Sequence, residues 1–116
     1  MRKVYYLSTC TTSKRIIDKL GLKSKGFDFQ DIKFEPITEA QLAEMHDLTG
    51  NYEALFSKIA RKYKELGLKN INLQEADYRS YILQEYTFLK RPVVIINDKV
   101  FVGSSKANIE RLAQVL

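Results

Sequence analysis

The sequence predicts an α/β domain in which helices flank a central mixed sheet, in the order βαβ, a helical insert, then ββα. Three observations carry that prediction. Short β-rich runs stand at both ends of the chain, around Lys3 to Leu7 and Val93 to Ile96. Apolar residues recur at helical spacing after the first run, through the middle and at the C-terminus. The five glycines fall singly where elements should stop, with no repeat or low-complexity tract between them. With 116 residues, 45% hydrophobic and 28% charged, the chain is expected to form one domain over 1–116, with the insert at about 37–89. A domain of that size needs no disulfide or metal to hold its core.

Taken in order, Lys3 to Leu7 opens the chain as a strand. Ser13 to Leu20 then places Ile16, Ile17 and Leu20 on one helical face, with Gly21 as the stop. Phe27, Phe29 and Ile32 nearly alternate with Asp28, Gln30 and Asp31, which predicts a second strand closed by Pro36. Thr38 followed by Gln41 is a capping box, with Ile37 and Leu42 where a hydrophobic staple belongs, so a helix starts at Thr38 and ends near Gly50. Tyr52, Leu55, Phe56, Ile59, Tyr63 and Leu66 predict the longest helix, capped by Asn51 and ended by Gly67. Asn72 with Glu75 resembles a further cap, opening a helix whose apolar side is Tyr78, Tyr81, Ile82 and Leu83. After Arg91-Pro92, Val93 to Ile96 reads as a buried strand, and Asn97-Asp98 turns the chain into Val100-Phe101-Val102. Gly103-Ser104-Ser105 caps a last helix expected to turn Ile109, Leu112, Ala113 and Leu116 inward.

Composition removes several function classes. One cysteine and one histidine allow no internal disulfide and no cysteine-rich zinc or iron–sulfur site. No apolar run approaches the roughly 20 residues that span a bilayer, and the one at the N-terminus is shorter than a signal peptide's, so no membrane association and a cytoplasmic location are expected. In that compartment a lone thiol stays reduced. The net charge of +5 is unevenly placed: residues 1–36 carry eight basic and four acidic side chains, 37–89 six and eight, and 90–116 five and two. Basic ends favour an anionic partner such as a small oxyanion or glutathione, or serve solubility alone. Direct nucleic-acid binding rests on charge only, since no recognised module is present and Tyr52, Tyr63, Tyr78 and Tyr81 fall on apolar helix faces as core.

The chemistry converges on Cys10. It follows the first strand and precedes the first helix, where unpaired amides and the helix dipole favour a thiolate. Ser13 can hydrogen-bond the sulphur, and Lys14 and Arg15 lie within one turn. A thiol so placed is more acidic than free cysteine and nucleophilic at neutral pH. The surrounding Ser8, Thr9, Thr11, Thr12 and Ser13 are polar, unlike the setting of an inert core cysteine. His46 reads as a surface or satisfied side chain, and Lys58 and Arg61 as solvated charges on a polar helix face.

Over nearly its whole length the chain resembles the ArsC/Spx branch of the thioredoxin-like proteins. The likeness rests on the cysteine turn after the first strand, Pro36-Ile37-Thr38-Glu39-Ala40-Gln41-Leu42, Lys64-Glu65-Leu66-Gly67-Leu68 and Lys90-Arg91-Pro92-Val93-Val94, in that order and spacing. It implies a thioredoxin-like (glutaredoxin-like) fold whose proline, here Pro92, is cis and lies against the cysteine. It also implies arsenate reductase-like thiol oxidoreductase chemistry. In that scheme a cysteine attacks arsenate, glutathione attacks the adduct, and glutaredoxin reduces the mixed disulfide as arsenite leaves. No bound cofactor or metal is implied, and glutathione is the co-substrate.

By the same resemblance Cys10 is the nucleophile, Ser13 the helper hydroxyl, Lys14 the basic residue beside it and Arg91 the arginine before the cis proline. Thr11, Thr12, Lys14, Pro92 and Ser104 are expected to line the substrate. Two further arginines of arsenate reductases correspond to Ser57 and Ser104, and the histidine and Asn-Pro-Arg before the cysteine to Tyr6, Leu7, Ser8 and Thr9. Arsenate turnover is therefore expected to be slow or absent, because serine cannot replace a bidentate guanidinium. The amides of Gly103-Ser104-Ser105, with Lys106 or Lys58, offer compensation, or simply a helix cap. The substrate is a small oxyanion or a glutathione-linked disulfide. The alternative is a non-enzymatic regulator similar to Spx that binds RNA polymerase, although Ser13 stands where an internal Cys-x-x-Cys switch needs its second thiol.

Overall fold

The computed structural model describes residues 1–116. In chain order the elements are β1 (Arg2–Tyr6), α1 (Thr11–Lys19), β2 (Asp28–Asp31), α2 (Glu39–Thr49), α3 (Arg61–Glu65), α4 (Glu75–Gln84), β3 (Val93–Ile96), β4 (Lys99–Val102) and α5 (Lys106–Val115). They fall into two compact units, Met1–Pro36 with Arg91–Leu116, and Ile37–Lys90.

The first unit is built on a four-stranded mixed sheet of order β2-β1-β3-β4. β1 pairs parallel to β2 and antiparallel to β3, and β3 pairs antiparallel to β4. The parallel pair needs a crossover, which α1 supplies. The antiparallel pair needs only a two-residue turn, and Asn97 takes the positive φ of 56° that such a turn requires. Val4, Val94, Ile96 and Phe101 form one face of the sheet, and Ile17 of α1 and Leu112 of α5 complete that core together with Leu22. Tyr5, Val93 and Ile95 point to the opposite face and are also buried. In α5 Leu112 lies in the core and Leu116 packs against it as expected. Ala113 is exposed instead, and Asn108 is buried with its Nδ2 donating to the Gly103 carbonyl at 2.9 Å, which holds the helix start against the loop.

The second unit is helical. Thr38 caps α2 as its sequence predicts: the Gln41 amide donates to Thr38 Oγ1 at 3.0 Å and the Thr38 amide to Gln41 Oε1 at 3.1 Å. Gly50 closes the helix with a φ of 93°. Thr38→Ala removes this box and is expected to lower unfolding free energy by about 1 kcal/mol. The check is a reduced denaturant midpoint at unchanged slope.

The long helix expected over Tyr52 to Leu66 does not form. A single 3₁₀ turn, Glu53–Leu55, is followed by extended backbone at Phe56 and the short α3. Phe56 bridges antiparallel to Leu89, while the Ser57 amide donates to the Phe88 carbonyl at 2.7 Å and the Lys90 amide to Leu55 at 2.8 Å. A continuous helix would turn Ile59 to the same side as Leu55 and Phe56, yet Ile59 is 94% exposed and the other two are buried. Pairing with the segment around Leu89 places Leu55 and Phe56 inside and leaves Ile59 outside, which a single helical face cannot do. Asn51 stands one residue before the N-cap of this 3₁₀ turn, which is Tyr52, and its Oδ1 accepts from the Ala54 amide at 2.7 Å. The cap of α4 also shifts. Gln74 holds the N-cap position, with its amide donating to Asp77 Oδ2 at 2.8 Å. Glu75 turns back to accept from the amides of Tyr52 and Glu53, at 2.6 and 3.1 Å.

Candidate active site

β1 runs out at Tyr6, and the chain makes a tight turn from Leu7 to Cys10, closed by the Cys10 amide on the Leu7 carbonyl at 2.9 Å. Cys10 takes extended backbone angles (φ −96°, ψ 106°) and is the N-cap residue of α1. Its carbonyl receives the first helical bond, from the Lys14 amide at 3.2 Å. Its sulphur therefore stands where a capping acceptor belongs, over the unpaired amides of the first turn.

Ser13 is the third residue of that turn and is 0% exposed. Its hydroxyl is buried with no oxygen or nitrogen partner. A neutral thiol is a weak acceptor, so the hydroxyl gains a strong partner only when Cys10 ionises. Burial pushes the Cys10 thiol up. The Ser13 hydroxyl and amide, then the charge and hydrogen bond of the Arg91 guanidinium, outweigh it and hold the thiol below its ordinary value. Cys10 remains partly open to solvent, as a nucleophile requires. Arg91 comes from the segment entering β3. The Arg91–Pro92 bond is cis, and Pro92 is buried with its carbonyl accepting from the Gly103 amide at 2.9 Å.

The structure thus brings Cys10, Ser13 and Arg91 together. Pro92 joins them through its cis bond to Arg91, and the remaining residues singled out by sequence lie as follows. Thr11 and Lys14 are exposed and, with Arg15, Asp18 and Lys19, border a shallow groove on the outer side of α1, while Thr12 is half-buried. Ser104 is exposed, and the neighbouring Ser105 caps α5 by accepting from the Asn108 amide at 3.2 Å. Ser57 is buried, and Lys58 pairs with Glu53 at 3.4 Å. His46 stacks on Tyr52 with ring centres 4.2 Å apart. No three His, Cys, Asp or Glu side chains gather as a metal set, and no helix is long and apolar enough to cross a membrane.

One contributor escaped the sequence reading. Asp31, at the end of β2, accepts the Ser8 amide at 3.2 Å, two residues before the thiol. The available signal was a carboxylate at the end of an otherwise alternating strand.

A parallel β1–β2 pair, an antiparallel β1–β3–β4 run, and a thiol facing a cis-proline loop define the thioredoxin-like class. Within it the ArsC family model matches residues 5–112, and the chain belongs to the ArsC family. It is similar to the arsenate reductases of Neisseria meningitidis serogroups A and B, each 27% identical over 113 residues, spanning 93% of this chain and 94% of theirs. Among solved structures, the arsenate reductase of Vibrio cholerae superposes with a TM-score of 0.78 at 16% identity, over 99% of this chain and 97% of that one. An ArsC-related protein of Brucella melitensis gives 0.73 at 23%, over 95% and 92%. These structural likenesses establish the fold.

Proposed function

We propose that this arsenate reductase-like protein is a single-cysteine thiol oxidoreductase in which the Cys10 thiolate is the nucleophile and glutathione the reducing co-substrate. The observation that carries the reading is the placement of the Cys10 sulphur at the N-cap of α1 beside the buried Ser13 hydroxyl and Arg91, which hold the thiol more acidic than free cysteine against the opposing effect of burial.

With a glutathione-linked disulfide, the Cys10 sulphur attacks the glutathione sulphur. A new S–S bond forms, the old one breaks, and the substrate's other half leaves as thiolate. A second thiolate, from glutathione or glutaredoxin, then attacks the Cys10–glutathione bond and releases the Cys10 thiolate. With arsenate, the thiolate forms an S–As bond and one arsenate oxygen departs as water after protonation. Glutathione thiolate then forms an S–S bond with Cys10 as the S–As pair stays on arsenic, which falls from the +5 to the +3 state. In both routes Arg91 and the α1 amides face the negative charge that gathers at sulphur and on the substrate. Exposed Ser104 adds no cation, so the disulfide route is the better served of the two.

The test is alkylation of Cys10 by iodoacetamide across pH. The wild type is expected to show an apparent thiol pKa below the roughly 8.5 of free cysteine, and Arg91→Ala and Ser13→Ala to raise it. A wild-type value at or above that of free cysteine overturns the reading.

A further inference from the structure

We propose that Asp31 is a positioning residue for the Cys10 thiol, acting through the backbone amide of Ser8; the proposal rests on Cys10 being the reactive group described above. The observation behind it is where the sheet stops. β1 and β2 run parallel with Tyr6 opposite Asp31, and the last bond beyond that pair is the Ile32 amide on the Tyr6 carbonyl at 2.9 Å. Past this point β1 turns toward the thiol and β2 turns back on itself, so the strand ladder can no longer fix either chain.

The Asp31 carboxylate takes over that task. Its Oδ1 accepts from the Ser8 amide and from the Lys33 amide, each at 3.2 Å. The Asp31 carbonyl meanwhile receives the amides of Phe34 and Glu35 at 3.2 and 2.9 Å. The Asp31 backbone is thereby held in a closed turn, and Lys33 aims its carboxylate. Ser8 is the first corner of the Leu7–Cys10 turn, the position whose amide the turn's own closing bond leaves outward and unused. Pinning that corner sets the direction in which the chain enters Cys10.

Direction matters here because the sulphur must reach the Ser13 amide, the Ser13 hydroxyl and the Arg91 guanidinium together. Hydrogen bonds weaken steeply with misalignment, so a small rotation of the turn loses part of all three. The carboxylate is also in the right state at neutral pH. Burial pushes Asp31 up, but the Ser8 hydroxyl and amide and the Lys33 amide and ammonium outweigh it and keep the group below the usual carboxylate range.

The experiment compares iodoacetamide pH profiles of wild type, Asp31→Ala and Asp31→Asn, with thermal unfolding of each. Asp31→Ala is expected to raise the Cys10 pKa and slow alkylation at pH 7 by about threefold or more, because fewer thiols are ionised there. Asp31→Asn keeps an Oδ1 acceptor for the Ser8 amide and is expected to restore a near-wild-type profile, which separates the bond from the charge. A folded Asp31→Ala with the wild-type thiol pKa overturns the proposal, and so does an Asp31→Asn as impaired as Asp31→Ala. Should Asp31→Ala not fold, hydrogen exchange of the wild-type Ser8 amide decides: protection supports the clamp, and exchange at the unstructured rate overturns it. A wild-type thiol pKa at the free-cysteine value instead removes the functional reading itself.

Discussion

Cys10→Ser is expected to abolish alkylation and any thiol-disulfide or arsenate turnover, a loss of at least about 10³-fold, while leaving the protein folded. The chemistry explains the size of the effect. A serine hydroxyl at this position has no neighbouring base to ionise it, and the groups that act on the sulphur, Ser13 and Arg91, are donors. They stabilise an anion but do not accept a proton, so only an intrinsically acidic nucleophile profits from them. The fold survives because Cys10 is the N-cap of α1, and serine is among the preferred residues there.

The same pair of proteins gives a pH test with a defined sign. The folded thiol pKa is lowered, so between that value and the roughly 8.5 of the unfolded chain the unfolded state holds more protons. Stability of the wild type relative to Cys10→Ser should therefore rise with pH through this window. It is fully present above the unfolded pKa and lost as pH falls through the folded one. Melting temperatures measured over pH 5 to about 9.5 read this directly, and a difference that stays flat, or falls with pH, contradicts an ionised folded thiol.

The sheet and the thiol turn were legible because their determinants are local. Val93 to Ile96 is apolar throughout and Asn97 can take a positive φ, so strand and hairpin are written in adjacent residues. Thr38 and Gln41 satisfy each other three residues apart. Cys10 needed only a strand before it and a helix after it. Lys14 lies one turn from the thiol on the outward face of α1, while Ser13, Ile16 and Ile17 look in. Asp31 was hidden because its partner, Ser8, is 23 residues away and is met through its backbone amide as well as its hydroxyl, and an amide carries no residue-type signal. Asn108 was hidden for the same reason, since its partner is the Gly103 carbonyl.

The broken helix around Phe56 leads to the second large expectation. Phe56→Ala should cost about 3 to 5 kcal/mol of unfolding free energy, the range for emptying a buried phenylalanine site. Phe56 is 1% exposed. Its ring stacks on Phe88 and tilts against Tyr78, both with centres 4.9 Å away, and meets Tyr63 edge-on at 6.0 Å. Tyr81 reaches the same group through Phe88 at 5.5 Å. Alanine would leave these rings facing a void, and two features limit how far they can collapse into it. The Ser57 and Lys90 amides bind the segment to Phe88 and Leu55 across the break, and the Tyr78 hydroxyl is tied to Glu53 at 3.0 Å. Phe56→Leu, which keeps much of the volume, should cost less than Phe56→Ala. Urea unfolding of the three proteins measures both, with near-UV circular dichroism reporting the loss of ring packing. A Phe56→Ala cost below about 1 kcal/mol would mean that the ring cluster is not what interrupts the predicted helix, because so small a loss cannot outweigh the helical bonds given up there.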